Sequence, residues 1–175
     1  MTTQTTVDVG RSTSETTVER IDGFRGRLIS ADHADYDSAR AVWNGAIDRR
    51  PRLIARCIGT ADAVAAVRFA RDHDLAIAIR GGGHNVAGTA VCDHGIVIDL
   101  SVMRAVRVDP GNRRAWVQGG ALWGDVDHET QAHGLATTGG IVSHTGVAGL
   151  ALGGGVGWLM RKHGLTVDNL LAVDA

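Results

Sequence analysis

Leu75-Ala76-Ile77-Ala78-Ile79-Arg80-Gly81-Gly82-Gly83-His84-Asn85 runs from an apolar stretch straight into three consecutive glycines. A short apolar run bounded by turn formers reads as a buried strand. The glycines after it remove every Cβ, so backbone N–H groups can turn inward and approach a ligand closely. Successive N–H groups in that geometry make a concave anion site suited to a pyrophosphate. A mobile hairpin tip is the rival reading, and it leaves the following His84-Asn85 pair without purpose. Two familiar phosphate loops do not fit. The dinucleotide fingerprint needs a third glycine where Val86 stands, and a long helix after it. The mononucleotide loop needs Gly-Lys-Ser/Thr, which the chain lacks.

Upstream, Leu53-Ile54-Ala55-Arg56-Cys57-Ile58 is a second buried-type strand. Between the two strands, the spacing predicts a helix over Ala61 to Asp74, capped by Thr60, with Val64, Val67, Phe69 and Ala70 inward. Strand, helix and strand in that order imply a parallel pair with a crossover helix. Earlier still, Tyr36, Ala39, Val42, Trp43 and Ile47 predict a helix from Tyr36 to Ile47, closed by Pro51. Downstream, Gly95 to Leu100 is a strand. Ala105 to Val108 and Ala115 to Gln118 form a hairpin about Asp109-Pro110-Gly111-Asn112. A helix from Leu122 to His133 stops at Gly134, and a short one from Trp158 to His163 stops at Gly164. Asn169 to Ala175 reads as the start of a strand, as though the chain were cut inside it. The class is α+β.

Composition narrows the partners. The 175 residues are 44% hydrophobic, enough for a sizeable core and too many for a disordered chain. Eighteen basic and nineteen acidic side chains give a net charge of −1, which argues against nucleic acid. No apolar run approaches the ~20 residues needed to cross a bilayer. Residues 1–20 are rich in Thr and Ser without apolar period, which predicts a flexible tail and no secretory signal; a cytoplasmic location is the default expectation. Cys57 and Cys92 are too few for a disulfide scaffold; they either pair or lie as two free thiols, the second being the favoured reading. The eight histidines include no set with metal-ligand spacing, so no metal is expected. Trp116, Trp123 and Trp158 lie in periodic segments and read as core.

A second glycine-rich region runs from Thr138 to Gly157. It contains Gly139-Gly140-Ile141-Val142-Ser143-His144-Thr145-Gly146-Val147-Ala148-Gly149 and then Gly153-Gly154-Gly155-Val156-Gly157. Two such regions can grip a long two-phosphate cofactor from both sides. Close packing of backbone on backbone is the alternative, strongest for Gly153 to Gly157.

Taken in order, these segments resemble one family. The ordered set is Gly26 to Ile29, Tyr36 to Gly45, Pro51 to Cys57, Arg80 to Asn85, Asp99-Leu100-Ser101, Gly119 to Asp127, the second glycine region, and Gly164 to Leu170. It is similar to the N-terminal part of the berberine-bridge-enzyme-like FAD-linked oxidases. Their FAD-binding domain is of the PCMH, or vanillyl-alcohol-oxidase, type: two small α+β lobes with an elongated FAD between them. The resemblance implies that residues 21–175 are such a domain, incomplete at its C-terminal end and lacking the substrate domain that follows in the family.

It further implies which residues bind FAD. The histidine of the family's Arg-Gly-Gly-Gly-His loop, here His84, commonly bonds the flavin 8α-methyl carbon, and a neutral imidazole is a suitable nucleophile. A hydrogen-bonded loop histidine is the plainer reading of His84 alone. Arg80, Gly81, Gly82, Gly83, Asn85, Val86 and Gly88 are implied on the first side of the cofactor. Gly146, Val147 and Gly149 are implied on the other, with Leu100, Ser101, Ala121, Thr138 and Ser143 as further contacts. Relatives that attach FAD twice use a cysteine where this chain has Val142, so a single linkage is expected. The implied reaction is an oxidase's: a small-molecule substrate gives hydride to FAD, and oxygen takes the electrons. A binding module without turnover and a non-redox nucleotide-binding domain are the other two classes.

Overall fold

The computed structural model describes residues 20–174; the expectation of a flexible tail over residues 1–20 falls almost wholly outside them. Two strands form the middle of the molecule because their three leading residues are all apolar and buried. They are β2 (Leu53–Arg56) and β4 (Ile96–Asp99). They run parallel, Leu53 opposite Ile96 and Arg56 opposite Asp99. β1 (Arg27–Ser30) pairs antiparallel with β2 on one side, and β3 (Ile77–Arg80) pairs parallel with β4 on the other. The order β1-β2-β4-β3 corrects the sequence expectation in one respect. β2 and β3 are parallel in one sheet, but β4 lies between them.

Side chains alternate across this sheet, and both faces are covered along β2 and β4; the edge strand β3, expected to be buried, is covered on one face only, with Ile77 and Ile79 exposed. Leu53, Ala55, Ile96 and Ile98 face helix α2 (Thr60–Asp72), whose Ala66 and Ala70 are wholly buried. Ile54, Val97 and Ala78 face Tyr36 and Ala39 of helix α1 (Tyr36–Arg40). The inward face of α2 is therefore alanine, with Phe69 packed beside it, while Val64 and Val67 are exposed, contrary to the periodicity. Small residues let the helix axis approach the sheet. Thr60 is the first helical residue rather than the cap. Gly59 is the cap, and Asp62 in the first turn ties down the approach to the helix by accepting hydrogen bonds from the Ile58 and Arg25 amides at 2.9 and 2.8 Å.

Helix α1 also ends early, at Arg40 rather than Ile47, because Ala41 is extended. Two contacts explain the stop. The Arg80 guanidinium donates to the Ala39 carbonyl, and Asn44 bends the chain by accepting from the Ala46 amide at 3.1 Å.

The second half begins with the antiparallel hairpin β5 (Val106–Asp109) and β6 (Arg114–Val117), as the turn residues predict. Asp109 accepts from the Asn112 amide at 3.1 Å and from its side chain at 2.7 Å, closing the turn. Helix α3 (Trp123–Gln131) packs against β5. Asp125 accepts from the Leu122 amide at 2.8 Å and pairs with Arg104 at 2.6 Å, fixing the helix start. Gly134, at φ +64°, follows its end. Helix α4 (Val147–Leu152) lies inside the second glycine region and has no counterpart in the sequence reading, which its glycine content obscured. Helix α5 (Met160–His163) is shorter at its start than expected. The expected terminal strand is absent: Val167–Asn169 is a 3-10 turn, and residues 170–174 pair with no strand. Trp123 is core, but Trp116 is 48% and Trp158 81% exposed, so the core reading fails for both. Cys57 and Cys92 are both free thiols. Among the described residues no helix is long and apolar enough to cross a membrane.

Candidate functional site

Parallel pairing of β3 and β4 brings Arg80 opposite Asp99, so the chain leaves both strands at the same end of the sheet. That end of a parallel sheet is where ligand crevices form. The Leu100 amide donates to the Arg80 carbonyl at 2.8 Å, and Ser101 is tied back to the buried Asp99 carboxylate at 2.9 Å. Arg56 completes the Asp99 pairing at 2.8 Å.

Gly81, Gly82 and Gly83 turn away from this end. Gly83 sits at φ +69°, and its carbonyl accepts from the Trp43 amide at 3.1 Å. Asn44 donates its side-chain amide to the Val86 carbonyl at 2.8 Å. The residues that leave helix α1 early thus brace the glycine loop from outside, with Arg80 anchoring it from below through Ala39.

The second glycine region arrives alongside residues 121–124. Leu122 and Gly146 face each other in an isolated antiparallel bridge. The Val147 amide donates to Ala121 and the Trp123 amide to Thr145, both at 3.0 Å; the Gly124 amide donates to Ser143 at 2.8 Å. The two glycine segments then cross. A Cβ on Gly82 would stand 2.4 Å from the Gly146 nitrogen, and one on Gly146 would stand 2.5 Å from the Gly82 nitrogen. Gly81 is held as tightly against the Gly119 carbonyl, and Gly120 against the Leu100 carbonyl. Only glycine allows these approaches.

The crossing leaves donors free. Among the described residues, the amides of Gly82, Gly83, His84 and Asn85 have no protein acceptor, nor do those of Ser143, His144 and Gly146. Gly82, Gly83, His84 and Gly146 are buried or partly buried, and folded chains pair nearly all shielded N–H groups, so these four amides suit an acceptor outside the protein. Residues 80–91 and 136–163 contain no Asp or Glu, so nothing in these segments repels an anion. The arrangement fits the pyrophosphate of a dinucleotide.

His84 closes the first loop. Its ring stacks on Trp43, with centroids 5.3 Å apart and planes at 21°. Its Nε2 lies 2.6 Å from Nδ1 of His144, on the second loop. Burial, and then the neighbouring His144, push His84 below its ordinary value of 6.5, favouring the neutral ring.

The expected residues divide accordingly. Gly81, Gly82, Gly83, His84, Leu100, Ala121, Ser143, Gly146 and Val147 converge on the crossing or flank it. Asn85 and Gly88 build the next turn: the Gly88 amide donates to the Asn85 carbonyl at 3.0 Å, and Gly88 is packed under Ile47. Val86 and Val142 are exposed. Thr138 is buried with its hydroxyl unpartnered, and Gly149 lies on α4 beside open space. The sequence reading did not give Trp43, His144, Gly119 or Gly120 a place here. The helical spacing of Trp43 hides its place here, and a single histidine in a glycine-rich segment carries no signal of its own.

Known proteins resemble this chain in sequence and fold. Residues 51–175 match the family described as FAD binding domain. (R)-6-hydroxynicotine oxidase of Paenarthrobacter nicotinovorans is 42% identical over 148 residues, covering 85% of this chain and 32% of that protein. Berberine bridge enzyme-like 18 of Arabidopsis thaliana is 37% identical over 133 residues, covering 72% of this chain and 25% of that protein. The crystal structure of 6-hydroxy-D-nicotine oxidase from Arthrobacter nicotinovorans superposes with a TM-score of 0.81 at 41% identity, covering 83% of this chain and 32% of the other. The chain thus spans about a third or less of the length of these relatives.

Proposed function

The chain belongs to the FAD binding domain family of FAD-linked oxidases and berberine-bridge-enzyme-like proteins, and from that premise we propose that it is the flavin-holding part of an oxidase whose His84 bonds the cofactor covalently. One observation carries the reading: the Gly82–Gly146 crossing, with its unpaired amides, lies beside the stacked imidazole of His84.

Each residue has a part. The amides of Gly82, Gly83 and Asn85 on one loop and Gly146 on the other would hold the pyrophosphate. Trp43 and His144 fix the plane of His84. Burial, and then His144, lower the His84 pKa and so favour the unprotonated ring, the form in which a ring nitrogen bonds carbon. Val142 offers no sulfur, so His84 is the single attachment. When bound, FAD supplies the electron chemistry, accepting hydride from a small-molecule substrate and passing electrons to oxygen.

Acid denaturation followed by mass measurement tests the attachment. Flavin mass is expected to stay with the wild-type polypeptide and to be absent from His84→Ala. Flavin released freely from the wild type refutes the linkage.

A further inference from the structure

His84 and His144 come from the two glycine regions, and their rings meet at the crossing with centroids 4.7 Å apart. A contact of 2.6 Å between Nε2 of His84 and Nδ1 of His144 leaves no room for a carbon substituent on that nitrogen. No described residue bonds Nδ1 of His84. A neutral imidazole has one bare nitrogen and one N–H, and the hydrogen-bond partner decides which is which.

We propose that His144 is a positioning residue for His84: its Nδ1 accepts the Nε2–H of His84, holding the tautomer in which Nδ1 of His84 is bare and forms the bond to flavin. This rests on the reading that His84 carries the cofactor. Attachment forms one bond, from Nδ1 to the 8α carbon, and breaks one methyl C–H and one imidazole N–H. The two electrons and two protons pass to molecular oxygen, giving hydrogen peroxide. Once Nδ1 carries carbon, the ring is cationic until Nε2 loses its proton, and Nδ1 of His144 is already placed to receive it. Trp43, stacked on the other side of the site, restricts ring rotation so that the assignment of nitrogens persists.

The test uses intact protein labelled with 15N-histidine. In the flavin-free wild type, His84 is expected as the Nε2–H tautomer, and digestion of the flavinylated protein is expected to yield flavin on Nδ1. His144→Leu removes the acceptor at an exposed position, with thermal unfolding as the control for folding. It is expected to weaken the tautomer preference about fivefold, the worth of one net hydrogen bond, and to slow attachment to a similar degree. His144→Asn restores an acceptor atom near the same place and is expected to restore both. An Nδ1–H tautomer in the wild type, flavin on Nε2, or a His144→Leu protein identical to wild type in both readouts overturns the proposal. Flavin released by acid from the wild type sinks the attachment reading alone. A tautomer that shifts in His144→Leu still establishes the hold of His144 on His84.

Discussion

The two glycine regions look alike in sequence and are unlike in structure. In the first, Gly81 and Gly82 meet backbone from other segments, and the amides that follow are left free. In the second, Gly139, Gly140, Gly155 and Gly157 make their close approaches away from the first loop. Gly139 and Gly140 lie against the Trp123 ring, Gly155 against Thr166, and Gly157 against the Gly139 carbonyl. Its carbonyls are consumed too, since Thr166 and Val167 donate to Gly155 and Gly154 at 2.9 Å. Only Gly146 in this region presses on the first. Glycine density therefore marks two different needs: a crossing with another loop in the first region, and room for Trp123 and Thr166 in most of the second.

The largest expected effect tests that distinction. Gly82→Ala and Gly157→Ala each push a Cβ into backbone, within 2.4 and 2.0 Å, and each is expected to cost about 3 kcal/mol of stability by denaturant unfolding. They part over the cofactor: at temperatures where both remain folded, Gly82→Ala is expected to lose FAD binding and Gly157→Ala to keep it. Equal loss of FAD in the two would erase the contrast between the regions.

A smaller effect belongs to the end of the first loop. His84 is shifted downward in the folded chain, so the unfolded chain takes up a proton first as pH falls. Its contribution to stability is intact at neutral pH and declines as pH drops below about 6.5, levelling off once the folded value is passed. Flavin-free wild type is expected to lose stability over that range more steeply than His84→Gln. Parallel curves would remove His84 from the account.

The smallest effect separates helix from site. Gly149 is an exposed helical residue of α4 with open space where a Cβ would go. Gly149→Ala is expected to stabilise the protein by about 0.5–1 kcal/mol, the ordinary gain in helix propensity. Stability raised with FAD affinity lowered would place Gly149 at the cofactor; both unchanged or raised would confine it to the helix.

What was legible in the sequence follows the same physics. β2 and β4 were readable because both faces of their sheet are buried and demand unbroken apolar runs. The hairpin was readable because Asp109 to Asn112 specify the turn. Helix α1 misled because Val42, Trp43 and Ile47 keep helical spacing while Arg80 and Asn44 draw the backbone elsewhere, through contacts distant in sequence. The α2 face misled because alanine, not valine, permits close approach to the sheet. The loop of Gly81 to His84 was visible as a candidate site from local composition. Its meeting with Gly146 and His144 was not, because no periodicity encodes a crossing between two coils.

That crossing binds the history of two distant codons. A side chain enters at Gly82 or at Gly146 only by prising the segments apart, and once they are parted the reason for the other glycine disappears. Substitutions there would be strongly epistatic, the second nearly harmless on the background of the first. The two positions amount genetically to a single locus, written twice in the gene and tolerated only as a pair.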